Sequence, residues 1–292
     1  MRRIKENFIH GLFLLNGLIV VIVLVGIFVI LVSTSIPAFR EISAWKFLTG
    51  LKWNPNSFNS PSYGIVSMLV STFMVTAGAL IIAVPLGIGT ASYLTDVASP
   101  RVSEIAKPVI EILAGIPSVV LGFLGIVLIG PVIARIFRLP NGLNALNGSI
   151  LLALMALPTI ISISEDALNS VPRSFSEASY ALGATKWQTL VRVKIPAAVS
   201  GVFAACMLGM GRAVGETMTV LMATGCASRM PRSMFDSVKT MTATIAIELG
   251  EVPYDTEHYY ALFAIGLVLF IITFLINMAA DAVLRKYQVK VR

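Results

Sequence analysis

The chain has 292 residues, 57% of them hydrophobic and 13% charged, about half the charged share of an ordinary globular protein. Blocks of apolar residues this long and this free of charge exclude a water-facing domain and make lipid the solvent for most of the chain. The formal net charge of +7 does not indicate nucleic acid, because the Lys and Arg residues fall in short connections rather than in a stripe with interleaved aromatics.

Ile9 to Ser35 carries no Asp, Glu, Lys or Arg over 27 positions, enough at a 1.5 Å rise to cross about 30 Å of hydrocarbon. Arg2, Arg3 and Lys5 precede it. They resemble the start of a secretory signal, but a cleavable apolar core runs only about 7 to 15 residues, so an uncleaved anchor is expected. Pro37 to Tyr63 follows as a loop carrying Trp45, Phe47, Trp53 and Phe58 among Pro, Asn and Ser, a composition suited to a membrane–water interface or a soluble partner.

Five further spans are expected at Ile65 to Tyr93, Pro108 to Ala134, Ser149 to Ala167, Ala197 to Thr224 and His258 to Ala282. Six crossings place both termini on one side. That side would hold thirteen of the 22 Lys and Arg residues, against eight in longer loops opposite, and the positive-inside bias makes it the cytoplasm. The fold class is therefore an all-α polytopic membrane protein. On the outer side, Met241 to Leu249 is too short to span and suits a re-entrant or surface helix.

Between the fourth and fifth spans, Ser174 with Glu177 and Thr185 with Gln188 both have capping-box spacing, which predicts two short helices. Gly183 between them suits a helix C-terminus, and the second helix is expected to yield before Pro196. Two helices joined to two spans make a lever.

Arg212 and Glu216 fall inside the fifth span, where a central charge costs about 2.5–3.5 kcal/mol. Four residues apart on one helix, they share a face and can pair. Gly209, Gly211, Ala213 and Gly215 allow a close approach there. One reading is a pair that only joins helices. The other is an anion site, with the planar guanidinium matching phosphate oxygens and Glu216 holding it in place. Glu111 in the third span is a weaker candidate, and Glu165 and Asp166 are expected to be solvated at the end of the fourth. Pro85, Pro117, Pro131 and Pro158 mark expected kinks. Cys206 and Cys226 fit no disulfide or metal spacing, and neither cofactor nor metal is expected.

Glu177-Ala178-Ser179, three residues, Gly183, nine residues and Val193-Lys194-Ile195-Pro196 resemble the EAA loop of ABC-importer permeases, a loop that docks into a cleft on the ATPase. Ser179 stands where that family has a second Ala. The resemblance implies a type I importer permease fold, with Glu177, Ala178, Gly183, Ile195 and Pro196 coupling to the ATPase. Gly211 to Thr217, Glu111 to Ser118, Ile247 to Glu251 and His258 to Phe263 further resemble the permeases of the phosphate-specific (Pst) family, the PstC type above all. That likeness implies a PstA-type second permease, a dimer of PstB-type ATPase and a PstS-type extracytoplasmic phosphate-binding protein as partners. It also implies phosphate passage at Arg212 and Glu216.

The resulting expectation is a multi-pass inner-membrane permease, not an enzyme, working by alternating access. Residues 1–64 would form the first span and outer loop, 65–283 the permease domain with its coupling loop at 172–197, and 284–292 a cytoplasmic tail. No Gly-x-x-x-x-Gly-Lys-Ser/Thr phosphate cradle is present, so ATP is handled by another chain. A permease for molybdate or sulfate, or a secondary transporter or channel without an ATPase, remain as alternatives.

Overall fold

A computed structural model describes residues 2–57 and 60–287. Phe58 and the tail from 288 onward, on which two of the expectations fall, lie outside the described residues.

Among the described residues, five helices are long and apolar enough to cross a bilayer. A sixth crossing is made when the pair Lys186–Ala197 and Val199–Gly215, bent by 72°, counts as one. The first helix, Arg2–Ser35, leaves its apolar side chains outside the core, as a lipid-facing helix does. It lies along the last, Glu257–Tyr287. The fourth, Ala145–Asn169, is the central post. In its most apolar window 61% of residues are buried, and it packs against the second, Val66–Asp96, and the fifth, Val199–Gly215.

Small residues make that packing close. Ile160 on the central helix sits between Gly87 of the second helix and Gly209 of the fifth. A Cβ on Gly87 would lie 2.5 Å from Ile160 Cγ2. In lipid, where apolar surface gains nothing by leaving the solvent, such contacts hold helices together.

The third span begins later than the sequence suggests. Pro100–Ala114 is a separate helix with no buried residue, and the span is Ser118–Phe137. The break falls at Gly115 to Pro117, since proline disfavours helical backbone in the residue before it. Glu111 therefore belongs to the preceding helix. Further on, a π-helical turn at Gly125–Ile129 precedes Pro131, and a second at Leu190–Lys194 precedes Pro196. A widened turn relieves the clash between a proline ring and the carbonyl four residues earlier. The helix thus runs through Pro196 rather than yielding before it, and bends at Ala198.

The loop that follows the first span is built rather than draped. Two short helices, Ala38–Glu41 and Ala44–Thr49, lead to an antiparallel ribbon pairing Trp53–Asn54 with Ser62–Tyr63. Trp45 is 75% exposed, as expected at an interface. Phe47 and Trp53 are instead buried, in a core with Ile65, Met68, Met241 and Leu262, so the loop anchors the heads of two spans and the short helix Met241–Glu248.

Candidate functional site

Two places carry chemistry, the lever and a break in the fifth helix. The lever's first helix is Arg173–Ala181. Pro172 precedes it, with no side-chain cap, so the Ser174/Glu177 box does not form. A proline at the boundary already fixes φ there and starts the helix two residues earlier than the box would. At its end, Gly183 adopts φ +80°. Its N–H donates to Tyr180 O at 2.9 Å, and Ala184 N–H to Ser179 O at 3.2 Å. These two bonds are the Schellman termination, which needs a left-handed residue and so favours glycine.

The Thr185/Gln188 capping box is present in both directions, at 3.2 and 2.9 Å. The two helices are then clipped together by buried hydroxyls, Ser179 Oγ to Thr189 Oγ1 at 2.9 Å. Ser179, the departure from the EAA pattern, thus supplies a bond that alanine lacks. The tip is left bare: Leu182 is 90% and Trp187 70% exposed, with Glu177 and Ala178 exposed beside them.

The root of the lever is fastened. Lys194 Nζ donates to Asp96 Oδ1 at 2.5 Å, across 98 residues of sequence. Ala91, Leu168, Val171, Ala198 and Val202 form a small core, with Ile195, the residue after Lys194, packed against it. The second, fourth and fifth helices and the lever therefore meet at one point. Nearby, Glu165 is buried and pairs with Lys107 at 2.7 Å, so of the two acids expected to be solvated only Asp166 is exposed. A buried carboxylate needs a partner, and Lys107 supplies it from the otherwise bare helix Pro100–Ala114.

The fifth helix ends at Gly215. Glu216 is extended, with φ −69° and ψ 133°, and Met218–Ala223 starts afresh. The expected pairing of Arg212 with Glu216 therefore fails, because a four-residue spacing brings side chains together only on continuous helix. Glu216 Oε1 instead accepts from the N–H and hydroxyl of Thr219, at 3.3 and 3.2 Å. Its own carbonyl accepts from Thr242 Oγ1 at 2.8 Å. Thr72, Thr76, Thr240 and Thr242 line the same small void as Glu216, together with Val75, Leu152, Ala213, Val214 and Val220. Arg212 is exposed on the last helical turn, and no described residue forms an ion pair with it.

Sequence reasoning missed Asp96, Lys107, Thr242 and Lys239. Asp96 and Lys107 sit at span ends, where charges are commonplace, and no local pattern marks the threonines or Lys239. The partners of Asp96, Lys107 and Thr242 are distant in the chain, and Lys239 pairs with Glu248, nine residues on.

Residues 83–289 match the family described as the binding-protein-dependent transport system inner membrane component. The chain belongs to that family. Permeases of this kind work with a second permease, an ATPase and a substrate-binding protein, so ATP hydrolysis lies on a separate chain. The permease is 43% identical over 234 residues to a probable ABC transporter permease protein, YqgH, of Bacillus subtilis, covering 80% of this chain and 75% of that one. It is 33% identical to the phosphate transport system permease protein PstC of Mesorhizobium japonicum, covering 94% and 88%. Among solved structures it resembles an importer of the acidic polysaccharide alginate, at a TM-score of 0.65 and 14% identity, over 98% of this chain and all of that one. The inward-facing methionine transporter MetNI gives 0.58 and 22% over 77% and 95%. These likenesses establish the type I importer fold.

Proposed function

We propose that this permease carries inorganic phosphate into the cell as the PstC-type subunit of an importer completed by a PstA-type permease, a PstB-type ATPase pair and a PstS-type binding protein. The observation that carries the reading is Arg212, a guanidinium on the last turn before a helix break, exposed and without an ion-pair partner among the described residues. Because Glu216 turns away to Thr219, the positive charge is available to an anion. The planar fork suits a tetrahedral oxyanion. The role of Glu216 changes accordingly: it shapes the break instead of gripping the guanidinium. Identity to PstC relatives along most of the chain supports phosphate as that anion.

In this reading both termini and the lever face the cytoplasm, as the excess of Lys and Arg on that side supports. Glu177, Ala178 and Gly183 present the tip to the ATPase, and Ile195 and Pro196 pass its motion to the fifth helix. Closure of the ATPase pair draws the levers together and opens the outer side, and hydrolysis returns the path to the inside.

The test is uptake by the reconstituted four-component complex. Arg212→Ala is expected to abolish phosphate uptake while the complex still assembles, and Arg212→Lys to retain a fraction, having the charge without the fork. Near-normal uptake by the alanine variant would leave Arg212 a structural residue. Competition by unlabelled phosphate, but not by sulfate or molybdate at equal concentration, separates phosphate from another oxyanion.

A further inference from the structure

Two of the segments with Pst-like sequence, Ile247 to Glu251 and His258 to Phe263, play no part in the mechanism above. The structure joins them. Glu248, the last residue of the helix Met241–Glu248, receives three donors from three other segments. Trp53 of the outer ribbon donates its indole N–H to Oε2 at 2.9 Å. His258, at the head of the last span, has Nε2 at 2.7 Å from the same oxygen, and its ring meets the Trp53 ring edge-on at 5.9 Å. Lys239, only 7% exposed, donates its ammonium to Oε1.

The far end of the same helix is tied to the break in the fifth helix. Met241 N–H donates to Thr72 Oγ1 of the second helix at 3.1 Å, and Thr242 Oγ1 donates to Glu216 O at 2.8 Å. An eight-residue helix, about 12 Å long, thus has one end on the outer loop and the other on the residue that follows Arg212's turn. Beside Glu248 lies an open cleft of about 710 Å³, whose lining includes Lys52, Asn54, Asn56, Ser228 and Arg229. It gives a partner access to the ribbon that carries Trp53.

We propose that Glu248 is a positioning residue that clamps the outer ribbon, Lys239 and His258 to the helix Met241–Glu248, so that docking of the binding protein at the outer loop is carried to the break at Glu216. A rigid strut between two packed points transmits displacement, and the change needs only a second discrete arrangement of the same contacts. A single carboxylate joins four segments, so removing its charge breaks the ion pair with Lys239 and weakens the bonds from Trp53 and His258. The inference rests on the importer reading and on the outer placement of this loop.

The experiment uses the complete complex in proteoliposomes, with ADP formation measured with and without phosphate-loaded binding protein. Glu248→Gln keeps the shape but loses the charge that holds Lys239. It is expected to assemble, to keep basal ATP hydrolysis within two-fold of wild type, and to lose at least five-fold in stimulation by the loaded binding protein. Glu248→Asp is expected to recover part of that stimulation, and Trp53→Phe to fall between Gln and wild type. Stimulation within two-fold of wild type in Glu248→Gln overturns the proposal. Should that variant fail to assemble, the Lys239→Met/Glu248→Met double variant, which leaves no buried charge unpaired, takes its place under the same criteria. Failure of both to assemble overturns it too, since the node is then purely structural. A wild-type complex indifferent to loaded binding protein would instead overturn the importer reading itself.

Discussion

Single side chains in this permease act by where their partner comes from. Asp96 and Lys194 are 98 residues apart and partly buried, and hydrogen bonds to charged groups contribute about 1.5–3 kcal/mol. Asp96→Asn is therefore expected to lower the stability of the detergent-solubilised complex by an amount in that range, read as a lower thermal midpoint, because Lys194 is left without its counter-ion. An unchanged midpoint would mean that water satisfies Lys194 equally well. Glu248 behaves differently. Burial raises its pKa, but the bonds from His258, Lys239 and Trp53 outweigh that and hold the carboxyl below its usual value. A depressed folded-state pKa contributes stability that is present above the ordinary carboxylate value and is lost as pH falls through the folded one.

The helices show how little room lipid packing leaves. Gly87 and Gly209 grip Ile160 from two sides. Gly87→Ala is expected to destabilise the bundle by about 1–3 kcal/mol, the usual cost of overpacking, since the new Cβ would meet the branched Cγ2 of Ile160 at 2.5 Å. Equal resistance of the variant to thermal aggregation would show that the central helix can shift. At the lever, element-scale logic was readable in part. Thr185, Gln188 and Gly183 do what their spacing predicts, whereas the Ser174 box loses to the proline before it. The proline at 196 misled for a physical reason: a π turn absorbs it, and nothing in the local sequence distinguishes absorption from termination.

Across the whole molecule, three apolar cores lie in a column along the helices. One sits at the lever's root, one around the middle of the central helix, and one beneath the loop that follows the first span. Packed contacts thus run at every level between the lever's root and the helix break. The tip of the lever is exposed. Glu177→Lys reverses the charge there without touching the buried clip of Ser179 and Thr189. Its expected effect is loss of the ATPase from the purified complex while the two permeases remain together. Recovery of the ATPase at normal yield would place its docking site elsewhere.

The sequence alone determined that the chain lives in lipid, roughly where it crosses, and that a capped hairpin joins its fourth and fifth spans. These follow from hydropathy and from capping, which act over a few residues and leave a periodic mark. Tertiary structure alone decided that the third span starts at Ser118, that Phe47 and Trp53 are core, and that Glu216 leaves its helix to face Thr219 and Thr242. In a chain apolar almost throughout, hydrophobic pattern no longer separates inside from outside. Which charges pair is then settled only when distant segments meet.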